Sequence, residues 1–251
     1  MDLGRFSLES KTAVLTGASK NIGAAIALGF AQAGAELLLI ARGAELLEAV
    51  AQDVRDRTGQ RVETLAADVS RPAAAQEIVD FALGAFDHVD VLVNNAFSPG
   101  SSQTPILEMN DEVWGEVMET NLLAPFRLSR GFAPSMNATG NASIINVVSG
   151  SGFLPSPNLG AYGVSKAALW MMTRYLAVET APNIRVNALC PGITSPDGQA
   201  HHDIFRQLLP LVPMKRLARP DEMVGAAIYL ASDSASYTTG EIIFVNGGRP
   251  W

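Results

Sequence analysis

Cysteine is almost missing from this 251-residue chain: Cys190 stands alone, and the only histidines are His88, His201 and His202. No internal disulfide can form, a cysteine-based metal cluster is excluded, and the three histidines do not make a metal site either. Charge is sparse too, at 17% of residues with a net charge of −7, and lysines and arginines form no run. That balance gives no support to a nucleic-acid surface and points to small-molecule partners. Long hydrophobic runs are lacking: none approaches the roughly 20 residues a membrane span needs. The opening MDLGRFSLES has no basic start followed by an apolar core, so a cytoplasmic location is expected. The N-x-S/T sequons at Asn137 and Asn141 then read as chance matches in a polar loop. Internal repeats and low-complexity linkers are also missing, and the expectation is one domain over residues 1–251.

Short apolar runs alternate with longer amphipathic ones, the pattern of βα units around a parallel sheet. Strands are predicted at Thr12–Thr16, Glu36–Ile40, Val62–Ala66, Val89–Val93, Ser143–Val148, Arg185–Leu189 and Glu241–Val245. Helices are predicted at Ile22–Ala33, Ala44–Arg57, Ala73–Phe86, Asp111–Met136, Leu159–Thr180 and Asp221–Ser232. Asp111 and Asp221 are placed to cap the helices they open. The expected fold is α/β: a Rossmann-like, doubly wound sheet of seven parallel strands with helices on both faces. Two irregular stretches, Phe97–Asn110 and Gly192–Pro213, follow strand ends, where ligands bind in such sheets. The second is read as a substrate lid at about residues 193–213, carrying His201, His202, Phe205 and Leu208.

In TAVLTGASKNIGAAIALGF a strand enters a glycine turn and then a helix, so backbone N–H groups and the helix dipole converge on one spot suited to pyrophosphate. The turn resembles the TGxxxGxG turn of the short-chain dehydrogenase/reductase family, with Gly17 and Gly23 in place and Asn21 standing where the family has its middle glycine. Asparagine tolerates positive φ, so the turn can survive the exchange. The resemblance implies cofactor contacts at Gly17, Ser19, Lys20, Asn21, Ile22 and Gly23. It places no acid at Ala41, where NAD-using relatives carry one; Arg42 and Lys20 could flank a 2′-phosphate, which is similar to the NADP-preferring members. Arg42 alone could equally be a solvated strand-end cation. Asp68 and Val69 match the family's adenine contact. Asn94, Asn95 and Ala96 match its NNAG motif, in which Phe97 replaces glycine beside the nicotinamide pocket. Pro191 and Gly192, with Ile193 and Thr194 after them, match its turn at the nicotinamide.

YGVSK places Tyr162 and Lys166 at i and i+4, on one face of a helix. Ser149 lies thirteen residues upstream. An unperturbed tyrosine titrates near pH 10, so a nearby cation is needed to favour tyrosinate. By resemblance, Tyr162 is the general acid/base and Lys166 lowers its pKa and binds the ribose. Ser149 orients the carbonyl, and Asn121 holds a relay water. The substrate pocket is expected to include Phe97, Gly150, Phe153 and Leu154.

These residues predict an NADP(H)-dependent oxidoreductase that moves hydride between a nicotinamide and a carbonyl or secondary alcohol. Relatives commonly form homotetramers (or homodimers) through the two long helices, Asp111–Met136 and Leu159–Thr180. A 3-oxoacyl-acyl-carrier-protein reductase is the nearest alternative, but GFAPSMNATGNA (Gly131–Ala142) and YLAVET (Tyr175–Thr180) lack the basic residues such enzymes usually present to an acidic carrier. An NADP-binding sensor without turnover is a further alternative, against which the four intact catalytic positions argue.

Overall fold

Strands buried on both faces are mostly apolar, and the central ones here are, with Thr12, Thr16, Asn94, Ser143 and Asn146 as the buried polar exceptions. All of β1 (Thr12–Thr16), β4 (Val91–Asn94) and β5 (Ala142–Val147) is buried. With β2 (Glu36–Ala41), β3 (Val62–Ala66), β6 (Ile184–Pro191) and β7 (Ile242–Val245) they make one parallel sheet in the order β3-β2-β1-β4-β5-β6-β7. The computed structural model describes residues 3–101, 104–201 and 203–249; His202, expected in the lid, lies outside them.

Alternation along each strand sends neighbouring side chains to opposite layers. Leu37 and Leu39 join one core with Ile26 and Phe30 of α1 (Asn21–Gln32) and Leu47 of α2 (Ala44–Thr58), whereas Leu38 and Ile40 join the other with Ile78 of α3 (Ala74–Ala85). Both strand faces are thus lined with branched apolar residues, and helices cover both.

The predicted helix Asp111–Met136 is broken. It consists of α4 (Asp111–Met118), a π-helical turn over Glu119–Leu123, and α5 (Ala124–Thr139). Pro125 has no N–H to offer the Asn121 carbonyl, so the ordinary α-helical bond cannot form there, and the Ala124 N–H reaches back to Glu119 instead. The cap of α4 is Asn110 rather than Asp111: its side chain accepts from the Val113 N–H at 2.8 Å.

The helix predicted at Leu159 is α6 (Gly160–Thr180). The lid stretch contains a short helix that the sequence pattern did not suggest, α7 (Asp203–Leu208). The last predicted helix starts as a 3-10 turn at Pro220–Met223, which contains Asp221, before α8 (Val224–Ala231). No helix among the described residues is long and apolar enough to cross a membrane.

Phe132 of α5 is fully buried among Leu128, Met136 and Ile144. Phe132→Ala is expected to cost about 3–5 kcal/mol through lost transfer energy and a cavity, read as a lower urea midpoint with an unchanged slope.

Candidate active site

The strand order reverses between β1, which pairs with β2 on one side, and β4 on the other. Connections leaving these two strands diverge to opposite faces, and the crevice this opens lies at their C-terminal ends. A cleft of about 1110 Å³ occupies it, lined from Gly17 after β1, Ala41 and Arg42 at the end of β2, Ala96 and Phe97 after β4, Ser149 after β5 and Pro191, Gly192, Thr194 and Ser195 at the end of β6.

At one end the glycine turn is held by side chains of the neighbouring loop. Asn95 Nδ2 donates to the carbonyls of Thr16 (2.9 Å) and Gly17 (3.1 Å), and Thr16 Oγ1 accepts from the Asn95 and Ala96 N–H groups at 3.0 and 3.1 Å. A Cβ on Gly23 would run into the Gly17 carbonyl oxygen, so helix and turn are packed as closely as backbone allows. Asn21 sits at φ 49°, the left-handed conformation expected of a residue in a glycine's place. Lys20 precedes α1 without a capping side-chain bond. The first-turn N–H groups therefore have no side-chain acceptor there and face the cleft, the setting in which an anion binds. Ser19, Lys20, Asn21, Ile22, Arg42, Asp68 and Val69 all line it as expected. Among the described residues, neither Lys20 nor Arg42 forms an ion pair.

At the other end three elements converge. Ser149 opens a tight turn at Gly150–Gly152, and a Cβ on Gly152 would lie 2.8 Å from the Ala167 N of α6. This close approach brings Ser149 within hydrogen-bond reach of the Tyr162 hydroxyl. Lys166 turns inward one helical turn later, its Nζ 5.8 Å from the Tyr162 ring centre and donating to the Val147 carbonyl at 2.8 Å. Phe97 lies edge-on to Tyr162, ring centres 6.1 Å apart. Tyr162, Lys166, Ser149 and Phe97 all face the cleft.

Several expected contacts lie elsewhere. Asn94 is buried in the sheet with its Nδ2 donating to Asn146 Oδ1 at 2.8 Å; Asn95, one residue on, is the asparagine that faces the cleft. Ile193 lines a separate cavity of about 180 Å³, between Gly192 and Thr194, which line the cleft. Gly150 is buried in its turn, and Phe153 packs on Trp170 and Phe244 at 6.4 and 5.5 Å. Leu154, like those two, is absent from the cleft wall, as is Leu208, whereas His201 and Phe205 belong to it.

Asn121 also stands back. Its Oδ1 accepts from the Ser98 N–H (2.8 Å), while Nδ2 donates to the Ser98 carbonyl (2.8 Å) and to Ser165 Oγ (3.0 Å). The side chain is spent on tying the Phe97 loop to α6. Ser195 and Gln199 of the expected lid line the cleft, and Glu116 and Thr120 line it without having been expected. Of these, Glu116 was legible only as one more acid on an amphipathic helix.

The sequence profile described as Enoyl-(Acyl carrier protein) reductase matches residues 17–249. The chain belongs to the short-chain dehydrogenase/reductase family. An uncharacterized oxidoreductase of Mycobacterium tuberculosis is 36% identical, the alignment covering 99% of this chain and 95% of its own. A 3-oxoacyl-acyl-carrier-protein reductase of Vibrio cholerae is also 36% identical, with 96% and 98% covered. L-sorbose reductase from Gluconobacter frateurii, solved with NADPH and L-sorbose, superimposes with a TM-score of 0.90 at 36% identity over 98% of each chain.

In this family member, enclosure governs the titration of the site. Burial pushes the Tyr162 hydroxyl up, with the Ser149 hydrogen bond opposing it. The expected lowering of Tyr162 by Lys166 is therefore not what the protein's own groups produce: Lys166 is itself pushed down to about 7 by burial. Burial likewise pushes the Cys190 thiol up to about 12, which leaves it a neutral core residue. Glu116 is held below the usual carboxylate range, first by the Ser98 hydrogen bond (2.7 Å), then by Ser101 and Arg42.

Between about 7 and the ordinary lysine value of 10.5, the unfolded chain keeps a proton that folded Lys166 has lost. Stability attributable to this group therefore rises with pH across that window. Comparing urea midpoints of the wild type with Lys166→Met through the same window is expected to give a mutant-minus-wild-type difference that falls steadily as pH rises. A pH-independent difference would mean that the cation bears no burial cost.

Proposed function

We propose that this protein is an NADP(H)-dependent carbonyl reductase and secondary-alcohol dehydrogenase, in which Tyr162 is the general acid/base. The observation that carries this reading is the meeting of the Ser149 and Tyr162 hydroxyls at the wall of the cleft, one helical turn from Lys166. NADP(H), when bound, supplies or accepts the hydride.

The protein's own groups handle the oxygen. Tyr162 is protonated at neutral pH, as any tyrosine titrating near 10 is, and burial reinforces this, so its hydroxyl can donate a proton to a carbonyl oxygen as negative charge develops there; in the oxidative direction it takes the proton back. Ser149 donates a hydrogen bond to the same oxygen and orients it. Lys166 holds the cofactor ribose through its ammonium and passes protons between Tyr162 and solvent. Asn121 acts on that relay through its backbone carbonyl, to which Pro125 gives no α-helical partner, while its side chain fixes the Ser98 loop.

Two observations support NADP(H) over NAD(H). Lys20 and Arg42 sit at the cleft end with Ala41 in place of an acid, and the related L-sorbose reductase was solved with NADPH. An acyl-carrier-protein substrate is less well supported, since Gly131–Ala142 offers no lysine or arginine to an acidic carrier. We assign the chain as one domain over residues 1–251. Its exposed α6 residues Met171, Tyr175 and Val178 form the apolar stripe through which a homotetramer or homodimer would assemble.

Tyr162→Phe is expected to bind NADPH normally by fluorescence titration while turnover over a carbonyl panel drops about 10²–10⁴-fold; undiminished turnover would sink the reading. Replacing Lys20 and Arg42 together by alanine is expected to weaken NADPH binding roughly 10–100-fold and to leave NADH almost untouched. Equal losses for both cofactors would refute the 2′-phosphate assignment.

A further inference from the structure

We propose that His201, held by Asp197, is a specificity-determining residue that accepts a hydrogen bond from a hydroxyl of a neutral, hydroxylated carbonyl substrate. The inference rests on the reductase reading above and adds the substrate class.

The segment after β6 is a closed arrangement of polar groups. Ser195 Oγ donates to the Gln199 carbonyl at 2.9 Å, and the Gly198 N–H donates to the Ser195 carbonyl at 3.2 Å, with Gly198 at a φ of 76° that makes the turn. Asp197 uses both oxygens: Oδ1 accepts from the Gln199 N–H at 3.0 Å and Oδ2 lies 2.6 Å from His201 Nε2. The His201 ring first, and then the Gln199 N–H, hold the Asp197 carboxyl below its ordinary range.

A carboxylate only accepts, so the proton of that short bond sits on Nε2. In the neutral ring, Nδ1 is then left with a lone pair, as in rings oriented by a carboxylate behind them. His201 lines the same cleft as Tyr162 and Ser149, and its side chain is two-thirds exposed, open to a ligand. What a fixed lone pair recognises is a hydroxyl or amine donor, and it repels a carboxylate.

The surroundings narrow the class further. From Ser195 to Phe205 and from Phe97 to Gly100, the described residues lining the cleft include no lysine or arginine that could hold an anionic substrate. Phe97, Pro196 and Phe205 supply apolar walls suited to C–H faces. A neutral ketone bearing hydroxyls beyond its reacting carbon satisfies both kinds of wall.

The test compares kcat/KM, with NADPH, for a ketohexose and for the alkanone of equal chain length. The wild type is expected to favour the ketohexose. In His201→Phe and in Asp197→Ala the ratio is expected to fall roughly tenfold, the effect of one hydrogen bond, and in His201→Gln, which keeps an acceptor, to recover in part. Circular dichroism of these surface variants reports that they fold. An unchanged ratio in His201→Phe, or a wild type that favours the alkanone, overturns this inference and leaves the reductase reading standing. Turnover of neither ketone by the wild type while another carbonyl is reduced also overturns this inference alone, and no turnover of any carbonyl, with NADPH bound, overturns both.

Discussion

The hydrogen bond from Lys166 Nζ to the Val147 carbonyl is the contact on which the geometry of the site depends. It pins the N-terminal half of α6 to the end of β5, two residues before Ser149. With that pin in place, one helical turn sets Tyr162 beside Lys166, and the short chain from Val147 sets Ser149 beside Tyr162. The contact is not a source of stability, because an ammonium removed from water costs more than one carbonyl returns, and the depressed pKa is the mark of that deficit. The rest of the fold has to carry it. Leu169, Thr173 and Ala177 continue α6 into the sheet, all buried, and Thr173 Oγ1 accepts from Asn146 of β5 at 2.9 Å. The helix is anchored along its length so that one costly side chain can be held at its start.

Asparagines do comparable work between the elements. Asn95 secures the glycine turn to the loop after β4; Asn121 secures that loop to α6 through Ser98 and Ser165, and the Ser165 hydroxyl donates in turn to the Tyr162 carbonyl at 2.7 Å. An amide has a donor and an acceptor at a fixed angle, so one side chain can bind both the N–H and the C=O of a single residue, as Asn121 does with Ser98. The Phe97 ring, seated edge-on to Tyr162, inherits its position from this bracing. The two ends of the cleft are thus set by one connected group of polar contacts, not by two separately tuned loops.

Fold and site were legible in the sequence to different depths. The strands stood out because helices cover both sheet faces, making β1, β4 and β5 predominantly apolar, and their predicted limits differ from the observed ones by a residue or two. The break at Asn121 did not stand out. Pro125 lies within a stretch whose apolar spacing continues through it, and proline near the start of a helix is normally tolerated; only the missing N–H at one particular carbonyl reveals the turn. Contacts were misassigned where a single residue of register decides the outcome. Asn94 and Asn95 are adjacent, as are Ile193 and its two neighbours, yet one lines the cleft and the next does not. A motif match locates such a pair without saying which member faces the ligand.

Tyr162 shows where the pattern of residue types stopped short of the physics. Spacing correctly brought Lys166 within reach of the ring, but the effect of a cation depends on whether it is charged and on what else surrounds the hydroxyl. Enclosure acts on both groups in opposite directions, raising the phenol and lowering the ammonium, so each is driven toward its neutral form. In the proposed reaction, a neutral phenol next to a serine hydroxyl is the donor that a developing oxyanion needs. The base needed for the reverse reaction has to be made by charge brought into the cleft. Under the proposed function Tyr162, Lys166 and Ser149 would therefore serve both directions, the bound cofactor's charge deciding how readily the proton is given up.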